Sequence, residues 1–303
     1  MEMISSTVLE TLKEMLPEEN IHLQESMAEH TTFKVGGNAA CLLELETEEQ
    51  LIKVNRYLRM IEMPFFVLGN GSNTLVKDEG YQGIVLQISD KMNKIRVEGN
   101  RIIAQAGALM SQVAVVAMEH SLAGLEFASG IPGTVGGGVV MNAGAYGGEL
   151  CQVVSEVTVV NKDSDVLVLD NAAMEFGYRQ SAIKNQPFVV TQVVFELTPG
   201  DRDTIKATID DLTARRREKQ PLEYPSAGST FKRPEGHFAG ELIMKAGLRG
   251  FQIGGAKVSD KHCGFVINAD HATAEDVLAV IREVQRRVKE QFGVDLEPEV
   301  IVR

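Results

Sequence analysis

The sequence predicts an α+β fold. Strand and helix signals alternate at short intervals, at least one strand pair reads as a hairpin, and no regular strand–helix repeat runs through the chain. The last observation argues against a barrel or a doubly wound parallel sheet. The chain has 303 residues, of which 44% are apolar and 24% charged. That is the balance of a folded globular protein, with length for two or three domains.

The elements follow in order. Ser6, Val8, Leu9, Leu12 and Leu16 suggest a short amphipathic helix that ends near Pro17. Thr47-Glu-Glu-Gln50 reads as a capping box. It opens a helix with Leu51, Val54, Leu58 and Ile61 at helical spacing, stopped by Pro64. Phe65 to Leu68 and Ile84 to Leu86 are short apolar runs expected as buried strands. Ile95 and Val97 alternate with charged residues, Glu98-Gly99-Asn100 turns the chain, and Arg101 to Ala106 returns as the second arm of a hairpin. Ser111 to Ser121 reads as a helix, and Val153–Val160, Val166–Leu169 and Phe188–Phe195 as strands. Thr198-Pro199-Gly200 is a plausible boundary, after which Asp203 is expected to cap a helix carrying Ile205, Ile209 and Leu212. Thr273-Ala-Glu-Asp276 is a second capping box. It opens a long helix with Val277, Val280, Ile281, Val284 and Val288 on one face and Gly293 as its C′ residue.

Charge and composition exclude several classes of function. Thirty Lys and Arg stand against 42 Asp and Glu, a net charge of −12. Such a surface disfavours nucleic acid and anionic membranes, so an anionic ligand needs a local concentration of cations or backbone N–H groups. Cys41, Cys151 and Cys263 are far apart, odd in number and form no CxxC pair. Neither a disulfide framework nor a zinc site is expected. The six histidines show no metal spacing, and His262-Cys263 reads as ordinary structure. The N-terminus lacks a basic region followed by an apolar core, and no apolar run approaches the ~18 residues a bilayer requires. A cytoplasmic monomer or weak oligomer without membrane insertion is expected.

The glycines carry the functional signal. Gly69-Asn-Gly-Ser-Asn73 directly follows the strand 65–68, and such small residues let successive N–H groups point at one spot, as an anion-binding nest requires. Eight of the 28 glycines fall between Gly130 and Gly148. A run of that density weakens any helix or strand it sits in, and is tolerable where a ligand such as a diphosphate must approach the backbone closely. Familiar phosphate motifs fail. Thr74 stands where the dinucleotide fingerprint needs Gly, no Gly-Lys dipeptide exists for a Walker A loop, and neither HExxH nor GxSxG occurs.

Gly69-Asn-Gly-Ser-Asn73 and Gly130-Ile-Pro-Gly-Thr-Val-Gly-Gly137 resemble the two loops of the FAD-binding fold of the vanillyl-alcohol-oxidase type. Tyr178-Arg-Gln-Ser181, Ser226-Ala-Gly-Ser-Thr-Phe231 and Leu296-Glu-Pro-Glu-Val300 narrow the resemblance to the UDP-N-acetylenolpyruvoylglucosamine reductase family, over about Thr31 to Val302. The resemblance implies two FAD-binding subdomains, 1–86 and 87–199, and a substrate-binding α+β domain, 200–303. It implies non-covalent FAD, NADPH as hydride donor, and reduction of an enolpyruvyl UDP-sugar to UDP-N-acetylmuramate in peptidoglycan precursor synthesis. Cofactor-binding positions would be Gly69, Asn70, Gly71, Ser72, Asn73, Ser129, Pro132, Gly133, Thr134, Gly137, Asn142 and Ala143.

Carried over position by position, Ser229 would donate a proton, and Arg179 and Glu299 would stabilise the enol or enolate. The residue types suit that chemistry. Arg offers a permanently charged planar fork to a carboxylate. Glu beside an enolate makes sense only if it holds or shares a proton. A serine hydroxyl can donate to a carbanion far more basic than itself. The short interval from Arg179 to Thr198 resembles the subclass without a tyrosine-bearing closing loop, leaving Tyr178 and Tyr224 as candidates for sealing the site.

Arg215-Arg-Arg-Glu-Lys219 is the densest basic run and reads either as a solvated helix end or as part of a diphosphate cradle. For that cradle Arg216, Lys219, Arg233 and Lys257 are the candidates, with Tyr178 beside the substrate. Two rival readings remain at this point: an FAD-linked oxidase of the same fold, and a colourless nucleotide-binding module.

Overall fold

The computed structural model describes residues 4–303. It contains two compact units. The first comprises the chain up to Leu23, Cys41–Asn70 and Gly83–Arg216; the second comprises Gln24–Ala40, Gly71–Gln82 and Arg217–Arg303.

The first unit is built on a five-stranded antiparallel sheet, in the order Val166–Asp170, Val154–Val160, Val189–Glu196, Arg101–Gln105, Ile95–Glu98. Val193 sits at its centre, opposite Val157 on one side and Ala104 on the other. β-branched residues supply most of the buried positions, as a pleated and covered surface favours. Helix Met110–Glu119 contributes Val113 and Ala117 to this core, and the short helix Val135–Val140 contributes Val135 and Val139. The hairpin of Ile95–Glu98 and Arg101–Gln105 has the predicted turn, with Glu98 opposite Arg101. Helix Glu48–Met60 packs Leu51, Val54 and Leu58 with Leu43, Ile84 and Leu86. Its Thr47 hydroxyl accepts from Gln50 N–H at 3.1 Å, as the capping signal predicts, while the Gln50 side chain reaches back to Glu46 N–H at 2.9 Å. Strand Phe65–Leu68 pairs in parallel with Tyr81–Gln87 and leads directly into the first glycine loop.

The second unit packs the antiparallel strands Gln252–Ile253, Ala256–Val258 and Val266–Asn268 against helix Ala274–Phe292. The predicted face of that helix (Val277, Val280, Ile281, Val284, Val288) is buried. Thr273 and Asp276 form the reciprocal cap, and Gly293 closes the helix at φ 70°. The C-terminal strand Ile301–Val302 runs parallel to Thr74–Leu75. This pairing joins residues more than 200 positions apart, which no local pattern announces.

One expectation is corrected. The helix Arg202–Lys219 is capped by Asp201, whose carboxylate accepts from Thr204 N–H at 2.8 Å; Asp203 lies inside its first turn. Within the glycine-rich stretch, whose composition weakens a helix, Val135–Val140 is helical. Close packing accounts for it. A Cβ on Gly136 would lie 3.0 Å from Ala106 Cβ, and one on Gly138 would lie 3.2 Å from Leu150, so glycine lets the helix lie directly on its neighbours.

Candidate active site

In the first unit the two glycine clusters meet. Asn70 Nδ2 donates to the carbonyl of Pro132 at 2.7 Å. A Cβ on Gly69 would come within 2.3 Å of Thr134 Oγ1, so only glycine permits this approach. Thr134 is buried at the entrance of helix Val135–Val140, and Gly133 is held by Met110 N–H at 3.1 Å. Ser129 is tied down inside its own turn, its hydroxyl donating to Glu126 O at 2.8 Å. Gly136 and Gly138 are buried, whereas Gly137 faces outward, and a Cβ there would find only Thr134 Oγ1, at 3.7 Å. Gly137 therefore has room in front of it. Its φ is not positive, so what glycine supplies there is space and not a left-handed backbone.

The remainder of the first loop belongs to the second unit. Gly71 adopts φ 59°, and a Cβ on it would lie 2.1 Å from the carbonyl of His30. Among the described residues no protein acceptor takes the backbone N–H of Asn70, Gly71, Ser72 or Asn73. These donors follow one another along a glycine-bearing turn, the arrangement that receives phosphate oxygens. The loop fits a diphosphate-bearing cofactor by this observation, independently of its sequence pattern.

Arg179 lies at the tip of a tight turn in the first unit. Gly177 and Gln180 exchange backbone hydrogen bonds of 3.0 and 3.1 Å across Tyr178-Arg179, and Arg179 takes φ 54°. Its guanidinium donates to Gly144 O at 3.1 Å and lies 5.0 Å from the ring centre of the exposed Tyr178. Arg216, on the helix Arg202–Lys219, lies against the second glycine cluster: a Cβ on Gly130 would sit 2.9 Å from its Nη1. Burial pulls the Arg216 guanidinium below its ordinary value, with the nearby Tyr146 opposing. Asn142, at φ 42° and fully buried, has its side-chain amide taken up by Gly177 O, Glu149 and Cys151 N–H. Toward a cofactor this leaves its backbone, and Ala143 follows it with N–H bound to Gly138 O at 2.8 Å.

In the second unit the segment that carries Ser229 pairs with the segment that carries Glu299. Glu299 N–H donates to Thr230 O at 2.8 Å, Lys232 N–H donates to Glu297 O at 2.9 Å, and Phe231 faces Pro298 across this short antiparallel pairing. Thr230 is fully buried, with its hydroxyl accepting from Val266 N–H at 2.9 Å, so the residue next to Ser229 is anchored. Ser229 itself is exposed and follows Gly228 at φ 74°. Of the basic candidates, Lys219 is exposed at a helix end, Arg233 lies 4.0 Å over the Phe238 ring, and Lys257 is paired with Asp260 at 2.5 Å. Tyr224 is exposed. Sequence reasoning missed Lys184, which stands in no motif and whose ammonium donates to Arg179 O at 2.8 Å, and the carbonyl of Gly144, which lies within the second glycine cluster but carries no side-chain signal.

Known proteins are similar to this chain in sequence and in fold. A model of an FAD-binding domain matches residues 39–170, and a model of the UDP-N-acetylenolpyruvoylglucosamine reductase C-terminal domain matches residues 220–303. The UDP-N-acetylenolpyruvoylglucosamine reductase of Caldanaerobacter subterraneus subsp. tengcongensis is 50% identical over 297 residues, which cover 98% of each chain. The chain belongs to the UDP-N-acetylenolpyruvoylglucosamine reductase family. A Clostridium perfringens member of the reductase family is 51% identical over 95% of each chain. The crystal structure of the Thermus caldophilus reductase matches with a TM-score of 0.79 at 36% identity, covering 93% of this chain and 97% of that one. Alkyldihydroxyacetonephosphate synthase shares the fold alone, at 14% identity and a TM-score of 0.51 over 64% of this chain and 41% of that chain. As a member of the reductase family the chain is an FAD-containing oxidoreductase with an α+β fold. Among the described residues no helix is long and apolar enough to cross a membrane, and no group of His, Cys, Asp and Glu is arranged to hold a metal ion.

Proposed function

We propose that this chain reduces the enolpyruvyl group of UDP-N-acetylglucosamine enolpyruvate to give UDP-N-acetylmuramate, with NADPH as the electron source. The loop Gly69–Asn73, with Ser129, Pro132, Gly133, Thr134, Gly137 and the backbone of Asn142 and Ala143, would hold FAD, which would supply the hydride chemistry between NADPH and the enolpyruvyl double bond. Arg179 binds the substrate carboxylate as charge builds on it, and preorganised charge of that kind is often the largest catalytic contribution. Glu299 holds or shares a proton at the same carboxylate, and Ser229 gives its proton to the carbon next to the one that receives hydride. Tyr178, Arg216, Lys219, Arg233 and Lys257 serve the UDP-sugar. The division is 1–86 and 87–199 for FAD and 200–303 for the substrate, in a cytoplasmic monomer or weak oligomer.

The observation that carries this reading is the pairing of Glu299 N–H with Thr230 O. It supports the reading because it braces the backbone of Glu299 against the residue that follows Ser229, and an oxidase of the same fold has no need of a proton donor and a carboxyl group on paired segments. The test is anaerobic. The purified protein should carry a visible flavin band that NADPH bleaches and the UDP-enolpyruvyl sugar restores, with a product two hydrogens heavier. A reduced flavin that the UDP-sugar leaves bleached while oxygen restores it rapidly would favour the oxidase reading instead.

A further inference from the structure

The turn that carries Arg179 is held from outside, by Asn142, Gly144 and Lys184. Gly177 O already accepts from Gln180 N–H at 3.1 Å and also accepts from Asn142 Nδ2 at 3.0 Å. Two residues after Asn142, Gly144 O accepts from the Arg179 guanidinium at 3.1 Å. On the other side, Lys184 Nζ donates to Arg179 O at 2.8 Å. Asn142 is itself fixed, because Cys151 N–H donates to its Oδ1 at 2.9 Å and its Nδ2 also reaches Glu149 Oε2 at 3.1 Å. Gly144 is packed so closely that a Cβ would lie 2.6 Å from Gly148 O and 2.7 Å from Glu149 Cγ.

Arg179 adopts φ 54°, a left-handed conformation uncommon for a side chain of its size. Such a conformation persists where the surroundings over-determine it, and here bonds reach the turn at its first residue, at the Arg179 carbonyl and at its guanidinium. A free arginine side chain has many rotamers, and a guanidinium that must meet a developing carboxylate charge gains from losing them beforehand.

We infer that Asn142 and Lys184 are positioning residues for Arg179: together they hold its turn in the left-handed conformation and aim its guanidinium. This rests on the assignment of Arg179 to the substrate carboxylate made above. Asn142 acts on the turn through Gly177 O, and Lys184 acts through the Arg179 carbonyl.

Lys184→Met keeps the length of the side chain and removes the donor, and Asn142→Gly keeps a residue at ease with positive φ while removing the amide. Each holoenzyme variant is reduced with NADPH and mixed in stopped flow with the UDP-enolpyruvyl sugar. Both should slow reoxidation roughly 10- to 100-fold, the scale on which small misplacements of a reacting group act. Lys184→Arg should recover much of the loss. Added to Arg179→Ala, Lys184→Met should cost nothing further, because there is no guanidinium left to aim. Multiplicative losses in that double variant, or wild-type reoxidation by Lys184→Met, overturn the inference. Since Asn142→Gly also leaves the Cys151 N–H without its partner, the Lys184 variants decide the matter if the Asn142 variant is poorly folded. Wild-type reoxidation by Arg179→Ala itself would remove the underlying assignment. A slow Arg179→Ala beside a fast Lys184→Met would remove only the positioning role.

Discussion

The side-chain amide of Asn73 donates to the main-chain carbonyl of Glu299 at 3.1 Å. One residue of the glycine loop thus grips the backbone of Glu299, and Ile301 N–H returns to Asn73 O at 3.0 Å. Asn73→Ala should therefore do more than weaken FAD. It should slow the reaction of the reduced flavin with the UDP-enolpyruvyl sugar even in enzyme saturated with FAD. A variant whose defect vanishes on adding excess FAD would show that Asn73 serves the cofactor alone.

Glu299 is braced at its N–H by Thr230 and at its carbonyl by Asn73, so changes to its side chain leave the backbone in place. Glu299→Gln keeps size and an N–H donor but cannot transfer a proton; Glu299→Asp keeps the acid and withdraws it by one methylene. If Glu299 acts only as a hydrogen-bond donor, Gln retains substantial activity and Asp is worse. If it must exchange a proton, Gln is as damaged as Ala. Stopped-flow reoxidation reads the order, and wild-type rates in all three variants would take Glu299 out of the site.

Ser229 is exposed between Gly228 and the anchored Thr230, so Ser229→Ala removes a hydroxyl without opening a cavity. Reduction of the flavin by NADPH should slow little, and reoxidation by the UDP-sugar should slow by about 10²-fold or more, in the range of general-acid contributions. Equal slowing of both half-reactions would argue for a structural role.

The glycines of the two loops should respond differently. Gly71→Ala meets the His30 carbonyl and a left-handed φ, and should lower both thermal stability and flavin content. Gly137→Val meets no protein atom closer than 3.7 Å at its Cβ, and should give a folded protein with little bound FAD. Full flavin occupancy in Gly137→Val would show that the space in front of that residue is not the cofactor's.

Burial holds the His262 imidazole below its ordinary value of 6.5. The unfolded chain then takes up a proton near pH 6.5 that the folded chain does not yet accept. Its contribution to stability is complete above that pH and is lost progressively as the pH falls below it. Urea midpoints measured from pH 7.5 down to 5.5 should decline less in His262→Gln than in the wild type, and parallel declines would assign the acid sensitivity to other groups.

Much of this protein was legible along the chain. Helix Ala274–Phe292, its Thr273 cap and Gly293 follow from 3.6-residue periodicity and end chemistry, because capping and amphipathicity are local. So does the hairpin at Glu98-Gly99-Asn100, where four residues decide the turn. The two glycine loops and the motifs around Arg179, Ser229 and Glu299 were visible for the same reason, since each is a short contiguous segment. Tertiary structure alone decided what those segments do to one another. Asp201 rather than Asp203 caps its helix because the helix begins two residues sooner than its apolar pattern shows. Val135–Val140 carries three glycines, and at two of them Ala106, Met110 and Leu150 pack so closely that a Cβ would crowd them. The pairings of Glu299 with Thr230 and of Asn142 and Lys184 with the Arg179 turn are closed by single hydrogen bonds between segments far apart or outside any motif. Sequence periodicity records which face of an element is buried; it holds no record of which carbonyl a distant donor will find.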